Sequence, residues 1–384
     1  MSFLLSLLLP WILLASWEEN TLTEMTLEEK VGQLFVAPAC PLRGEDHWQD
    51  WETLLTTCHV GNVIVKQADP KSQVKMLRSF QSRSKLPLLV MADYEWGLAM
   101  TMTEVMEFPR NAVLGQLEDV ELISQVGQEI ARQARGVGVH LNLAPVVDVN
   151  NNPLNPIIKT RSFGSDPKRV ADCAAAWIRG FQGMGLLACA KHFPGHGDTR
   201  VDSHVGLPTI PHSLERLGQV ELPPFQRAID EGVEVVMTGH LLVPALDSEW
   251  PATLSRVCLQ GVLREKMGFR GLIISDALNM KALTNQYTPE KIAYKAREAG
   301  CDLLLYGMHI APVVDELMRE QIPRAYNALL TAYKAEKLPL NELDEAVLRI
   351  LKAKEKLGLH KSRDFTEVAL FTPEAENLKL LIIK

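Results

Sequence analysis

Residues 191–204 read KHFPGHGDTRVDSH and hold three of the chain's ten histidines, two aspartates, a lysine and an arginine. One chemistry this set suggests is metal ligation, because His192 and His196 stand four apart, as in helical zinc motifs. Pro194 and Gly195 lie between them and argue against a helix, so only a loop could gather such ligands. The second chemistry is proton transfer. Asp202-Ser203-His204 sets a carboxylate two residues from an imidazole, close enough to fix one ring nitrogen and leave the other to exchange a proton. A structural Asp–His bond on a loop is the plainer alternative.

A second carboxylate, Asp276, closes the apolar run of GLIISDALNM. An aspartate there reads either as a helix cap or as a reactive group. Asp93, in MADYEWG, can accept two hydroxyl hydrogen bonds, or can simply serve a turn. Lys191 and His192 leave an apolar run together, and two adjacent donors suit a ligand rich in hydroxyls. His140, inside an apolar segment, reads as a satisfied core histidine. His196 reads as a fixer of its Pro-Gly-His-Gly turn, and His240, after VEVVMTG, stands between those two readings.

These groups need a frame. Apolar runs that read as strands fall at 31–37, 60–65, 87–92, 138–148, 185–190, 233–238, 271–275 and 300–306. Stretches of helical period lie between them, at 118–135, 167–183, 255–267 and 289–298, and a last one at 341–357 starts with Asn341 as a cap. Eight strands alternating with helices predict an α/β fold, a single (β/α)8 TIM-type barrel with irregular parts. An open doubly wound sheet is the rival. A barrel places its chemistry just past the C-terminal ends of its strands. Asp93, Asp148, Lys191 with His192, His240 and Asp276 all fall there, after five of the eight runs. Asp276 then faces the 191–204 segment across the barrel mouth. A nucleophile and a separate proton donor are the parts of a retaining glycosidase.

Bulk properties narrow the field. The chain has 384 residues, a net charge of −7 and 6% aromatic residues, which excludes a basic nucleic-acid face or a stacking platform for single strands. The six cysteines form no CxxC pair and read as thiols. No nucleotide loop of the GxxxxGK[ST] or GxGxxG kind sits where it would be needed, and no cofactor is called for. Residues 3–15, FLLSLLLPWILLA, are too short for a comfortable membrane span. They match a signal-peptide core in length but lack a preceding basic residue, so either export or a cytoplasmic place is compatible with them. The expected organisation is an apolar segment at 1–22, a catalytic barrel at 23–360 and a tail at 361–384. Oligomeric state is not encoded legibly.

KHFPGHGDTRVDSH resembles the signature of glycoside hydrolase family 3, in its branch of β-N-acetylhexosaminidases of the peptidoglycan-recycling type. The resemblance runs from MTLEEKVGQLF (25–35) to AVLRILKAKEKLGL (346–359). It takes in MADYEWG, NLAPVVDVN, TRSFGSDP, VMTGHLLVPALD and ISDALNM in order. It implies that Asp276 is the nucleophile, that His204 is the general acid/base paired with Asp202, and that Asp93, Arg161, Lys191 and His192 bind sugar. It implies an exo-acting retaining β-N-acetylglucosaminidase, without metal or other cofactor. The implied substrate is a carbohydrate with a terminal GlcNAc, a muropeptide fragment or a chitobiose-like sugar. A β-glucosidase or xylosidase of the same fold, a metal-dependent hydrolase and a non-catalytic sugar-binding barrel are the alternatives, and phosphate in place of water is a variant. One departure stands out: the similar pattern DxEWGxxMR ends in arginine, whereas here Thr101 takes that place. Substrate-assisted cleavage needs an Asp-Glu pair at a strand's C-terminal end, but Asp230-Glu231 precedes the sixth strand.

Overall fold

A computed structural model describes residues 16–307 and 314–383. The sequence's apolar segment at 3–15 lies outside the described residues. Eight parallel strands form one sheet: β1 (Phe35–Ala39), β2 (Asn62–Val65), β3 (Leu89–Ala92), β4 (Leu141–Asn142), β5 (Leu187–Phe193), β6 (Val235–Thr238), β7 (Leu272–Ser275) and β8 (Leu304–Leu305). They lie in the order β7-β6-β5-β4-β3-β2-β1-β8. A parallel bridge between Ile274 and Leu303 brings β7 beside β8 and carries the ring round. The fold is therefore the expected (β/α)8 barrel. All strand positions are buried, as they must be with side chains filling the ring and helices covering it.

The strand boundaries depart from the apolar runs for local reasons. The run at 31–37 begins inside a helix, Leu27–Gly32, and the strand starts only at Phe35. Thr26 and Glu29 form a reciprocal capping box: Glu29 N donates to Thr26 Oγ1 at 3.2 Å, and Thr26 N to Glu29 Oε2 at 3.0 Å. The run at 138–148 gives only two ladder residues before Pro145, which has no N–H to continue the ladder. Beyond it, Val147 N still reaches Lys191 O at 2.8 Å, so Asp148 arrives beside β5. In the last long helix, Leu340–Lys356, Pro339 occupies the cap and Asn341 lies inside the first turn, correcting the sequence-based cap.

Helices that begin with a side-chain cap follow the sequence closely. Asp166 accepts from Arg169 N at 3.0 Å and starts Pro167–Gly183; Asp119 accepts from Glu121 N at 2.8 Å and starts Val120–Gly136. These two helices approach closely through a glycine on each, Gly127 against Trp177 O and Gly180 against Ser124 O. A Cβ at Gly180 would lie 2.0 Å from Ser124 O, so any larger residue would push them apart. The stretch predicted as a helix at 255–267 forms a wider-wound π-helix, Val257–Lys266. Helix Trp17–Glu24 packs on Leu340–Lys356, and helix Pro373–Ile383 packs on Val120–Gly136. All six cysteines are buried. Among the described residues no helix is long and apolar enough to cross a membrane.

Candidate active site

A cavity of about 300 Å³ opens at the C-terminal ends of the strands. That is near the lower end of the roughly 300–1,000 Å³ typical of small-molecule sites, a size for a sugar unit rather than a polymer groove. Its lining brings together Asp93, Arg161, Lys191, His192, His204 and Asp276, six of the seven site residues named from sequence. The seventh, Asp202, sits behind His204.

The floor of this cavity is a chain of ion pairs. Strand β5 does not stop at the end of its apolar run but continues through Lys191, His192 and Phe193, with a register shift against β6 at that point. Lys191 Nζ thereby reaches Asp93 Oδ1 at 2.9 Å and Glu95 Oε1 at 2.9 Å. Arg161 grips Glu95 through both carboxylate oxygens, at 2.7 and 3.0 Å. Lys66, the first residue after β2, pairs with Asp93 Oδ2. Burial alone would raise the Glu95 carboxyl. The Arg161 and Lys191 charges overturn that and hold it at about 2. Burial would lower the Lys191 ammonium, but Asp93 and Glu95 keep it raised, so Lys191 and Glu95 face each other as charged groups.

His192 is oriented from both sides. Its Nδ1 lies 2.7 Å from buried Asp148 Oδ2, and its Nε2 lies 3.4 Å from the Arg161 guanidinium. Arginine only donates, so Nε2 accepts and Nδ1 carries the proton toward Asp148. His196 does not converge with His192 on a common point. Its Nδ1 meets Thr199 Oγ1 at 2.9 Å and its Nε2 meets Ser203 Oγ at 3.3 Å. Burial pushes its pKa down to about 4, so it is neutral and serves the loop, as its turn suggested. Among the described residues no group of three or more histidines, cysteines or carboxylates gathers in a way that could hold a metal.

The loop that follows β5 carries the DSH triplet. Gly197 lets it pass the strand-4 exit, where a Cβ would lie 1.8 Å from Val149 O. Asp202 Oδ1 accepts from His204 N at 2.8 Å and faces His204 Nδ1 at 2.6 Å, forming the expected local pair. Burial acts to raise the Asp202 carboxyl, but the hydrogen bonds from His204 outweigh it and keep it lowered. His204 itself lines the cavity, with Asp202 behind its Nδ1. Ser203 ties the loop to the far side, where Ala282 N donates to Ser203 O at 3.2 Å.

Asp276 stands at the end of β7, its backbone N donating to Thr238 O at 3.1 Å and its Oδ1 accepting from Ala277 N at 2.7 Å. His240, buried beside it, donates from Nε2 to Ala277 O at 2.9 Å and meets Thr253 Oγ1 through Nδ1 at 2.8 Å. It thus holds the turn that presents Asp276. His140 is a core histidine, accepting from Val90 N at 3.1 Å. Asp230 ends helix Leu222–Asp230, ahead of β6 and away from the cavity.

Sequence reading missed two members of the floor. Glu95 sits within MADYEWG, two residues past Asp93. Lys66 is the first titratable group after the 60–65 run and satisfies the same strand-end criterion as the five groups that were found. Trp96 and Met100 also line the cavity, and Arg110 lies over the Trp96 ring at 3.3 Å.

Residues 26–353 match the family model described as the glycosyl hydrolase family 3 N-terminal domain. A "Beta-N-acetylglucosaminidase/beta-glucosidase" of Cellulomonas fimi is 30% identical over 356 residues, 90% of this chain and 60% of that protein. A "Beta-hexosaminidase A" of Pseudoalteromonas piscicida is 34% identical over 295 residues, 72% of this chain and 49% of that protein. The chain thus spans about half to three-fifths of the length of these two relatives. Among solved structures, a family 3 β-N-acetylglucosaminidase from Paenibacillus sp. str. FPU-7 superposes with a TM-score of 0.86 at 36% identity. That match covers 93% of this chain and 68% of the other. With the barrel, the strand-end cavity and a match over most of its length, the chain belongs to glycosyl hydrolase family 3.

Proposed function

We propose that the 23–360 barrel is a retaining exo-β-N-acetylglucosaminidase that acts without metal or other cofactor. The observation that carries this reading is that Asp276 and the Asp202-oriented His204 open onto one cavity above an ion-paired floor. Asp276 attacks C1 of the terminal sugar. His204, protonated, donates from Nε2 to the leaving oxygen, so the glycosidic bond breaks as the ester to Asp276 forms. The neutral imidazole then takes a proton from water, which attacks C1 and frees both the sugar and Asp276. Asp202 holds the ring orientation and stabilises the imidazolium, as a carboxylate behind a catalytic histidine does.

Asp93, Arg161, Lys191 and His192 bind the sugar. Contacts among them and with Glu95 and Asp148 fix them before the ligand arrives, which spares ordering cost on binding. The names of the relatives support a terminal β-linked GlcNAc as the sugar, and the DSH motif supports the histidine route. A muropeptide fragment or a chitobiose-like sugar is the substrate this reading assigns. The name of the Cellulomonas relative includes β-glucosidase, which makes activity on glucosides the second reading.

The test is nitrophenol release from the β-N-acetylglucosaminide and the β-glucoside side by side, for wild type and Asp276→Ala, with and without EDTA and with added phosphate. Release from the acetamido sugar alone, indifferent to EDTA and absent in the variant, supports the reading. Release from the glucoside alone moves the protein to the second reading, and loss with EDTA overturns the metal-free mechanism. A phosphorylated sugar product would replace water by phosphate.

A further inference from the structure

Lys66 lines the cavity and has no catalytic or binding role so far. It follows β2, and its ammonium pairs with Asp93 Oδ2. Its side chain is 10% exposed, and what is exposed faces the cavity it lines. An ammonium has three N–H donors and no acceptor. Asp93 is the hydrogen-bond partner of Lys66 among the described residues, which leaves two N–H groups for a ligand oxygen.

The ring order says which oxygen. Strand β3, which ends in Asp93, lies four places from β7, which ends in Asp276, so the two stand on opposite sides of the eight-stranded mouth. Lys66 directly follows the adjacent strand, β2, on the Asp93 side. In a pyranose ring the carbon opposite C1 is C4. A sugar with C1 at Asp276 therefore points C4 toward the Asp93–Lys66 pair.

Position 101 belongs to the same side of the mouth. Thr101 O accepts from Ala68 N at 3.2 Å, and Thr103 N donates to Ala68 O at 3.0 Å. The segment that lacks the expected arginine thus runs alongside the chain leaving β2, two residues beyond Lys66.

We propose that Lys66 is a substrate-binding, specificity-determining residue that donates to the C4 hydroxyl oxygen of the terminal sugar and supplies the cation absent at position 101. This inference rests on the glycosidase reading above. It also gives that reading a reason for exo action, because a chain continuing from O4 would run into the Lys66–Asp93 pair.

The experiment compares wild type, Lys66→Met and Lys66→Arg on three nitrophenyl glycosides: β-GlcNAc, its 4-deoxy analogue and its C4 epimer, β-GalNAc. A hydrogen bond from a charged donor predicts that Lys66→Met lowers kcat/KM on β-GlcNAc by about 10- to 100-fold, mostly through KM. It predicts a much smaller loss on the 4-deoxy sugar, a narrowed preference for GlcNAc over GalNAc, and partial rescue by Lys66→Arg. Equal losses on β-GlcNAc and the 4-deoxy sugar would overturn the contact and leave Lys66 as a support for Asp93 alone. No loss on β-GlcNAc would overturn it outright. Thermal melts of both variants identify a loss due to unfolding, and the Arg variant then carries the comparison. If wild type cleaves none of the three, the glycosidase reading fails. Calorimetric binding of GlcNAc and 4-deoxy-GlcNAc to wild type and Lys66→Met then decides the contact by itself.

Discussion

The floor and the rim of the cavity are built on different physical terms. The floor joins Lys66, Asp93, Lys191, Glu95 and Arg161 on strand ends and adjoining segments, and its Lys191 and Glu95 side chains are 3% and 1% exposed. The rim carries Asp202 and His204 on a loop, with side chains 29% and 28% exposed. Buried charges must be paired, and once paired they resist displacement because losing one partner strands the other. Around the triplet itself the ties are neutral hydrogen bonds, such as Ser203 Oγ to His196, Ala282 N to Ser203 O and Asn285 Nδ2 to Val205 O. The contrast suits the two tasks. Recognition needs groups fixed in advance, whereas a proton carrier must serve a departing group and then a water at the same place.

Asp276 belongs to the rigid side although it reacts, and it is the most sensitive place to strike. Asp276→Ala is expected to lower turnover by at least about 10⁴-fold, near 5 kcal/mol of barrier, while the melting temperature stays close to wild type. Turnover within about 10-fold of wild type would remove it as nucleophile.

His204→Ala should separate the rim from the floor. Glycosides with poor leaving groups should lose about 10²–10⁴-fold, and those with good leaving groups far less, since only the former need the proton. KM and stability should barely change. Equal loss on both classes would count against an acid role.

Glu95→Gln strikes the floor and should do the reverse. It leaves Arg161 without its buried counter-charge and Lys191 with Asp93 alone, so stability should fall by about 3–5 kcal/mol in urea titration. A variant as stable as wild type would show that the floor is not the rigid partner in the comparison.

Acid should loosen the buried frame as well. Burial pushes His47, His140 and His196 down to about 4 from the ordinary 6.5. Between those values the unfolded chain binds protons that the folded chain refuses. Their contribution is therefore complete above pH 6.5 and is lost as the pH falls toward 4, by on the order of 1 kcal/mol per pH unit for each group. Urea midpoints across that window should drop toward acid, and a flat profile would contradict the burial argument. The smallest expected effect is Ser203→Ala, which removes one loop hydrogen bond, about 0.5–1.5 kcal/mol. It should lower kcat a few-fold without altering the floor, as steady-state kinetics on one substrate will show.

Much of this was legible in the chain itself. The barrel followed from eight apolar runs, because a strand buried on both faces must be apolar along its whole length. The Asp202–His204 pair was legible because both partners lie within three residues, so local geometry nearly fixes it. Helices starting at Asp119 and Asp166 were legible because their caps are local too. The first strand was misplaced because a capping box at Thr26 and Glu29 outweighed an apolar run that also suits a strand.

The tertiary structure alone decided what depends on distant residues meeting. Asp93 and Lys191 are 98 positions apart and Arg161 and Glu95 are 66 apart, yet each pair is in contact. Nothing in the types of Lys66 or Glu95 distinguishes them from the chain's other charged residues, most of which face solvent. Their meaning comes from strand order and register, which place β2, β3 and β5 around one cavity. The sequence by itself determined the apolar ring and the kind of chemistry at its mouth, because those depend on side-chain type and short spacing. The ion-paired floor depends on how the ring closes, and only the folded ring brings its charges together.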